Sequence, residues 1–157
     1  MKSNFVSKSE SNAILGEIGA AWGIAIPKTR NLRVHEVAGA QLIVGDGFKA
    51  LKAGDDYLPF LSDTDTLEKF PSVTVDMGAV SFMCKGANVM RPGITGFAEF
   101  GLGDIVCVVE ESQHKFIAVG RSLATSSEGE AMKKGEIVKN LHYISDKYWN
   151  AAKETGA

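Results

Sequence analysis

The stretch that most constrains this chain is Val80 to Ile94, VSFMCKGANVMRPGI. An apolar run, Val80 to Cys84, leads into Lys85-Gly86-Ala87-Asn88, then Val89-Met90, then Arg91-Pro92-Gly93. Glycine reaches backbone conformations closed to other residues. Proline fixes its own φ and drives the preceding residue away from the helical region. The stretch therefore predicts a sharply shaped loop between two buried elements. Its cations are Lys85 and Arg91. Two readings stand on the residues alone: a tight core crossover, or a loop that offers backbone groups and charge to a phosphate backbone. Five residues are too few for periodicity to separate helix from strand. Phe82 and Met83 are assigned to packing, and Met90 is open between core and contact.

The preceding chain predicts a small α/β unit. A short strand is expected near Phe5 and Val6. Ser7 and Glu10 have capping-box spacing, with Ser9 as the alternative cap. Ile14, Leu15, Ile18 and Trp22 recur at helical spacing, and Gly23 is the expected stop. Leu32, Val34 and, after a phase slip, Val37 suggest a strand flanked by Lys28, Arg30 and Arg33. Leu42–Val44, Phe48–Leu51 and Tyr57–Phe60 follow, separated by the turn signals Gly45-Asp46-Gly47 and Asp55-Asp56. Ser62 is expected to cap a short helix over 62–70 with Leu67 and Phe70 inward. Pro71 ends it, which places the domain boundary between 1–71 and 72–157.

Beyond Pro71, Val73 and Val75 alternate with polar neighbours, and Phe97 and Phe100 anchor a glycine-rich linker. Ile105–Val109 is a continuous apolar run of the kind found in buried strands. Glu110–His114 reads as a hairpin turn, with Phe116–Val119 returning and Gly120-Arg121 ending the strand. A helical fragment near Ser126–Met132 and a last strand over 137–144 follow. Tyr148 and Trp149 are expected to pin the tail to the barrel surface. Short strands with glycine-rich connections describe a small closed or partly closed barrel, giving an α+β fold overall.

The chemistry of catalysis is largely missing. The chain has two cysteines, Cys84 and Cys107, and three histidines, His35, His114 and His142, with no zinc spacing among them. Cys107 and His114 could meet across the hairpin but have no third partner. There is no nucleophile elbow or phosphate loop, and Gly101-Leu102-Gly103-Asp104 lacks the rest of a dinucleotide fingerprint. No enzyme, cofactor or metal site is expected. No apolar run reaches membrane-spanning length, and the first residues lack a basic start with an apolar stretch. A cytoplasmic protein is the expectation. The net charge is −2, from 17 Lys plus Arg against 19 Asp plus Glu, so bulk electrostatics do not mark a nucleic-acid binder. A local basic face would suffice. Lys85 and Arg91, Lys115 and Arg121, and Lys133, Lys134 and Lys139 would form one if the barrel gathers them.

Residues 73–150 resemble a PUA domain, the pseudobarrel RNA-binding module of pseudouridine synthases and archaeosine transglycosylases. The resemblance rests on Val75-Asp76-x-Gly78-Ala79, Gly86-Ala87-Asn88-Val89-Met90-Arg91-Pro92-Gly93-Ile94, Gly103-Asp104-Ile105-Val106, Ile117-Ala118-Val119-Gly120, and His142 with Asp146. It implies RNA contacts at Lys85, Gly86, Ala87, Asn88, Met90 and Arg91, with Arg121 helping on the same face. The whole chain is similar to a narrower group: the malignant T-cell-amplified protein, its yeast translation-machinery-associated counterpart, the matching part of ligatin, and short archaeal homologues. There a pre-PUA domain precedes the PUA domain. Phe5-Val6-Ser7-Lys8-Ser9-Glu10 and Asn140-Leu141-His142-Tyr143-x-x-Asp146-x-x-Trp149 carry that similarity. It implies a role in translation, with tRNA or rRNA and the small ribosomal subunit as ligands and a translation-factor protein as a possible partner. Two alternatives remain at this stage. One is an RNA-targeting subunit for an RNA-modification enzyme. The other is a protein-interaction scaffold, marked by an exposed apolar patch near Trp22 or Phe48.

Overall fold

The computed structural model describes residues 3–156. The first half contains β1 (Ser3–Phe5), α1 (Lys8–Trp22), β2 (Arg33–Val37), β3 (Ala40–Gly45), β4 (Phe48–Ala53), β5 (Asp56–Pro59) and the short α2 (Thr64–Leu67). The strands form one sheet in chain order, every neighbouring pair antiparallel. Ser7 starts α1 by accepting from the Glu10 N–H, and Gly23, at φ 65°, stops it. Ile18 and Trp22 are buried, with Ile14 and Leu15 packed beside them. Trp22 Nε1 donates to the Tyr57 carbonyl at 2.8 Å, which fixes the helix to β5.

Local details differ from the sequence expectation in two places. No phase slip occurs in β2. Its buried face is His35 and Val37, while Val34 is only partly covered on the other face. The polar His35 hides this pattern in the sequence. It is tolerated inside because Nδ1 meets Ser3 Oγ at 2.6 Å, and burial, then nearby Arg33, lowers its pKa and favours the neutral ring. The cap of α2 is Asp63, not Ser62. One Asp63 oxygen accepts from the Thr66 N–H, and the other accepts from the Lys49 N–H of β4 at 2.9 Å. A carboxylate can serve helix and strand together, whereas Ser62 Oγ accepts from Lys49 Nζ.

The second half contains β6 (Ser72–Val75), α3 (Met77–Met83), β7 (Val89–Met90), a 3₁₀ turn (Arg91–Gly93), β8 (Ile94–Phe97), β9 (Ile105–Glu110), β10 (Phe116–Ser122), α4 (Ser126–Ala131), β11 (Glu136–Tyr143) and α5 (Lys147–Thr155). Strand order is β7-β11-β10-β9-β6-β8, with β6 and β9 parallel. The two edge strands, β7 and β8, are joined by the 3₁₀ turn alone. Laid flat at about 4.8 Å per strand, the edges would stand about 24 Å apart. The link from Met90 to Ile94 reaches at most about 14 Å. The sheet must therefore curl, and it forms a nearly closed pseudobarrel. Arg121 lies within β10, which runs on to Ser122.

The two halves share buried surface. The core of the first sheet takes in Ile105, Cys107 and Val119 from the barrel strands and Ala152 from α5. The C-terminal helix thus packs on the N-terminal sheet: Trp149 stacks on Phe60 at 6.2 Å, and Tyr148 joins the same cluster. Tyr148 also meets the barrel, edge-on to the His142 ring of β11 at 6.2 Å, so the two aromatics hold the tail across both halves and not to the barrel alone. At the seam lies His142, fully buried. Its Nε2 accepts from the Leu61 N–H at 3.1 Å, so the ring proton sits on Nδ1, 2.7 Å from Asp146 Oδ2.

Candidate nucleic-acid interface

Asp76 organises the entrance to the Val80–Ile94 stretch. Its Oδ1 accepts from the Ala79 N–H at 2.9 Å and caps α3, and its own N–H donates to the Gly93 carbonyl at 2.9 Å. The helix start and the 3₁₀ turn are thereby held side by side. Val80–Cys84 is resolved as the end of α3 and its cap, with Met83 buried and Ala79 and Val80 packed on the barrel core. Phe82 lies beside this packed face and is 62% exposed. The expectation that Phe82 packs is therefore wrong: the barrel core takes Ala79, Val80 and Met83 and leaves Phe82 at the exposed edge of the helix. In β7 the strand alternation sends Val89 in and leaves Met90 47% exposed, so Met90 is not core.

These elements enclose an apolar groove of about 420 Å³, lined by Met83 and Val89, the exposed Phe82 and Met90, Ala87 and Pro92. Lys85 stands in the adjoining turn, exposed, and its ammonium has no hydrogen bond or ion pair to any described residue. Gly86 gives this turn its shape. It sits at φ 92°, and a Cβ there would lie 3.2 Å from the Tyr143 ring.

Two sequence-predicted contact residues hold the groove together. Asn88 Oδ1 accepts from the Asn140 N–H and its Nδ2 donates to Glu136 Oε2, both at 3.0 Å, which ties the turn to β11. Asn140 Nδ2 completes the tie by donating to the carbonyls of Met83 and Ala87. Arg91 is a brace. Its guanidinium donates to the carbonyls of Ile94 and Glu130 and lies 5.0 Å from the centre of the Phe97 ring. The Arg91 N–H donates to the Gly135 carbonyl, which brings the turn carrying exposed Lys133 and Lys134 to this edge.

Arg121 is elsewhere. It pairs with Asp56 Oδ1 at 2.9 Å and donates to the Gly103 carbonyl, at the seam between the two sheets. It stands directly opposite Lys139 in the β10–β11 ladder, so the two share a face. The next residue, Asn140, points to the Lys85 turn. Arg121 and Lys139 thus face away from the groove, and the cations do not form one continuous face.

No catalytic arrangement emerges at this site. Burial pushes the Cys107 thiol up to about 12, and its Sγ faces the Leu67 carbonyl, while His114 is exposed in the hairpin. Among the described residues, no group of His, Cys, Asp and Glu side chains could hold a metal, and no helix is long and apolar enough to cross a membrane. Trp22 and Phe48 are buried, so the apolar patch that would mark a docking scaffold there is not exposed.

A nearly closed pseudobarrel with a capped helix and a glycine-shaped turn beside an open groove defines a PUA-domain protein. The PUA domain family profile matches residues 71–144. The uncharacterized protein MJ1432 of Methanocaldococcus jannaschii is 35% identical over 157 residues, covering 95% of this chain and 96% of its own length. Translation machinery-associated protein 20 of Saccharomyces cerevisiae is 31% identical over 94 residues, covering 55% of this chain and 52% of the yeast protein. Human Malignant T-cell-amplified sequence 2 is 31% identical over 100 residues, with coverages of 59% and 55%. The matches span about half the length of these eukaryotic relatives. The crystal structure of a PUA domain from Aeropyrum pernix K1, a tartrate complex, aligns at TM-score 0.82 and 26% identity, covering 99% of this chain and 93% of that one. The chain belongs to the PUA-domain family, in the group that contains MJ1432, Translation machinery-associated protein 20 and the Malignant T-cell-amplified sequences.

Proposed function

We propose that this chain is a non-enzymatic, cytoplasmic RNA-binding protein of the translation apparatus, built from a pre-PUA unit (1–71) and a PUA unit (72–157). Its ligand is tRNA or small-subunit rRNA, engaged during initiation, reinitiation or recycling. The observation that carries the reading is the groove itself. An exposed aromatic ring beside an apolar trough suits an unpaired base, since base–aromatic stacking contributes about 1–3 kcal/mol per base. Recognition of RNA commonly targets such splayed bases, with cations on the phosphates.

Phe82 is assigned to stacking, Met90 to the groove wall, Lys85 to phosphate, and Gly86 and Ala87 to close backbone approach. Asn88 and Arg91 shape the groove from behind; Arg121 is assigned to the seam. The names of the relatives support the translation setting. The test is a titration of tRNA and small-subunit rRNA fragments with the wild type, Phe82→Ala and Lys85→Ala. Phe82→Ala is expected to weaken binding by about 5- to 150-fold, equivalent to about 1–3 kcal/mol. Lys85→Ala is expected to lower the salt slope by about one. Unchanged affinity and slope for both variants would remove the groove as the RNA site.

A further inference from the structure

A second cleft lies on the other half of the molecule. It encloses about 680 Å³ between the start of α1 and the segment joining α1 to β2. Val6, Leu15 and Ile26 supply apolar wall. Lys8, Lys28 and Arg30 are the charged residues that line it, with no carboxylate among the lining residues. None of the three side chains makes a hydrogen bond or ion pair with a described residue, and all three residues are exposed. Of the carboxylates in the neighbouring turns, Asp46 accepts from Asn31 Nδ2 at 2.8 Å and Glu10 accepts from Ser7 Oγ at 3.2 Å. At the mouth stands Phe5, 72% exposed, with the Arg33 guanidinium 4.6 Å from its ring centre.

We infer that this cleft is a second RNA-binding site, taking an unpaired nucleotide segment with phosphates on Lys8, Lys28 and Arg30 and a base on Phe5. Three unpaired cations in one cleft of a chain with net charge −2 are a local concentration of charge that attracts a polyanion. The aromatic platform and apolar wall favour a nucleic acid over an acidic peptide, because every base has a flat face to stack. The volume falls in the range of small-ligand sites, large enough for a nucleotide. The site shares no residue with the groove beside Phe82, so the protein would grip RNA at two places, one on each sheet. For its ligand class the inference rests on the RNA-binding reading above.

The test uses the full chain, with bulk tRNA and a single-stranded uridine dodecamer as probes, titrated at several salt concentrations. The variants are the triple Lys8→Gln/Lys28→Gln/Arg30→Gln, the single Phe5→Ala, and Phe82→Ala for the groove. A charge-keeping Lys28→Arg/Arg30→Lys variant and thermal melts of all proteins report on folding. The triple variant is expected to lower the salt slope by about 2, since each single-strand phosphate contact contributes about 0.7. Phe5→Ala is expected to weaken binding about 5-fold or more, and the charge-keeping pair to bind as the wild type does. Loss of binding in Phe82→Ala with an unchanged triple variant would overturn the cleft and leave the groove. A weakened triple variant with unchanged Phe82→Ala would keep the cleft and, with Lys85→Ala unchanged as well, overturn the groove. A wild type that binds neither probe overturns both. A polyglutamate that displaces tRNA from the wild type but not from the triple variant, with equal tRNA affinity for the two proteins, would assign the cleft to an acidic protein and overturn the inference.

Discussion

At the scale of single residues, the side chain that couples most of the structure is His142. One ring nitrogen receives the Leu61 N–H and the other gives its proton to Asp146, while Phe60 stacks on the ring at 4.8 Å. Burial alone would raise the Asp146 carboxyl. The hydrogen bond from His142, with the Trp149 and Tyr143 N–H groups, more than offsets this and holds it below the ordinary carboxylate range. A group with a depressed folded pKa stabilises the fold above its unfolded value, near about 3.9 for Asp. That contribution disappears as pH falls through the folded value. Asp146→Asn is therefore expected to cost about 1–3 kcal/mol at neutral pH, the usual cost of spoiling a buried hydrogen-bond set. Thermal melts from pH 7 down to pH 2 should show the gap between wild type and variant closing in acid. A gap that is constant with pH would remove Asp146 from the acid response.

At the scale of elements, the pseudobarrel depends on a bulge between β10 and β11. The register shifts between Val119 and Gly120. A Cβ at Gly120 would stand 1.9 Å from the Lys139 carbonyl oxygen and 2.9 Å from Val138 Cγ1. The obstruction is mainly backbone, so it cannot rotate away. Gly120→Ala is expected to cost about 3 kcal/mol, the upper end of the usual overpacking range, read as a fall in denaturant midpoint. An unchanged midpoint would mean that the strands can separate locally without opening the barrel. Bulges also increase local twist, and here the bulged pair carries Asn140, the residue that ties the groove turn to the barrel.

At the scale of the whole molecule, the first sheet's core borrows Ile105, Cys107, Val119 and Ala152 from the second half of the chain. Pulling the sheets apart would expose this apolar surface and leave the Leu61 N–H without its partner. Calorimetry is expected to show a single cooperative transition, with the calorimetric and van't Hoff enthalpies equal. Two resolved transitions would show that the shared core does not couple them. The Arg121–Asp56 pair also crosses the seam, yet its side chains are 34% and 38% exposed. Solvent screens such a pair, so Arg121→Ala is expected to cost less than about 1 kcal/mol. The halves are joined by packing and buried hydrogen bonds more than by surface charge.

Much of this was legible in the sequence, because it depends on neighbours along the chain. The α1 stripe from Ile14 to Trp22, its Ser7 cap and Gly23 stop, the turn glycines of the first sheet, the apolar run of β9 and the glycine–proline stretch at 86–93 are local signals, and each produced its expected element. The motif from Gly86 to Ile94 also marked the region of the groove. Other features exist only once distant segments meet. His35 faces inward because β1 supplies Ser3. Phe82 reaches solvent because the barrel core packs against Ala79, Val80 and Met83 and stops short of it. Arg91 and Asn88 look like free contact groups in the sequence, but Glu130, Ile94, Glu136 and Asn140 engage them. Arg121 leaves the groove because its place opposite Lys139 in the β10–β11 ladder turns it to the seam, where it meets Asp56, 65 residues earlier. Spacing along the chain determined the elements, and the ordered motifs carried the resemblance to the family. The choice of face for each side chain, and hence which residues reach solvent at the groove, was decided by long-range packing, since burial of one face of an element is set by what it packs against.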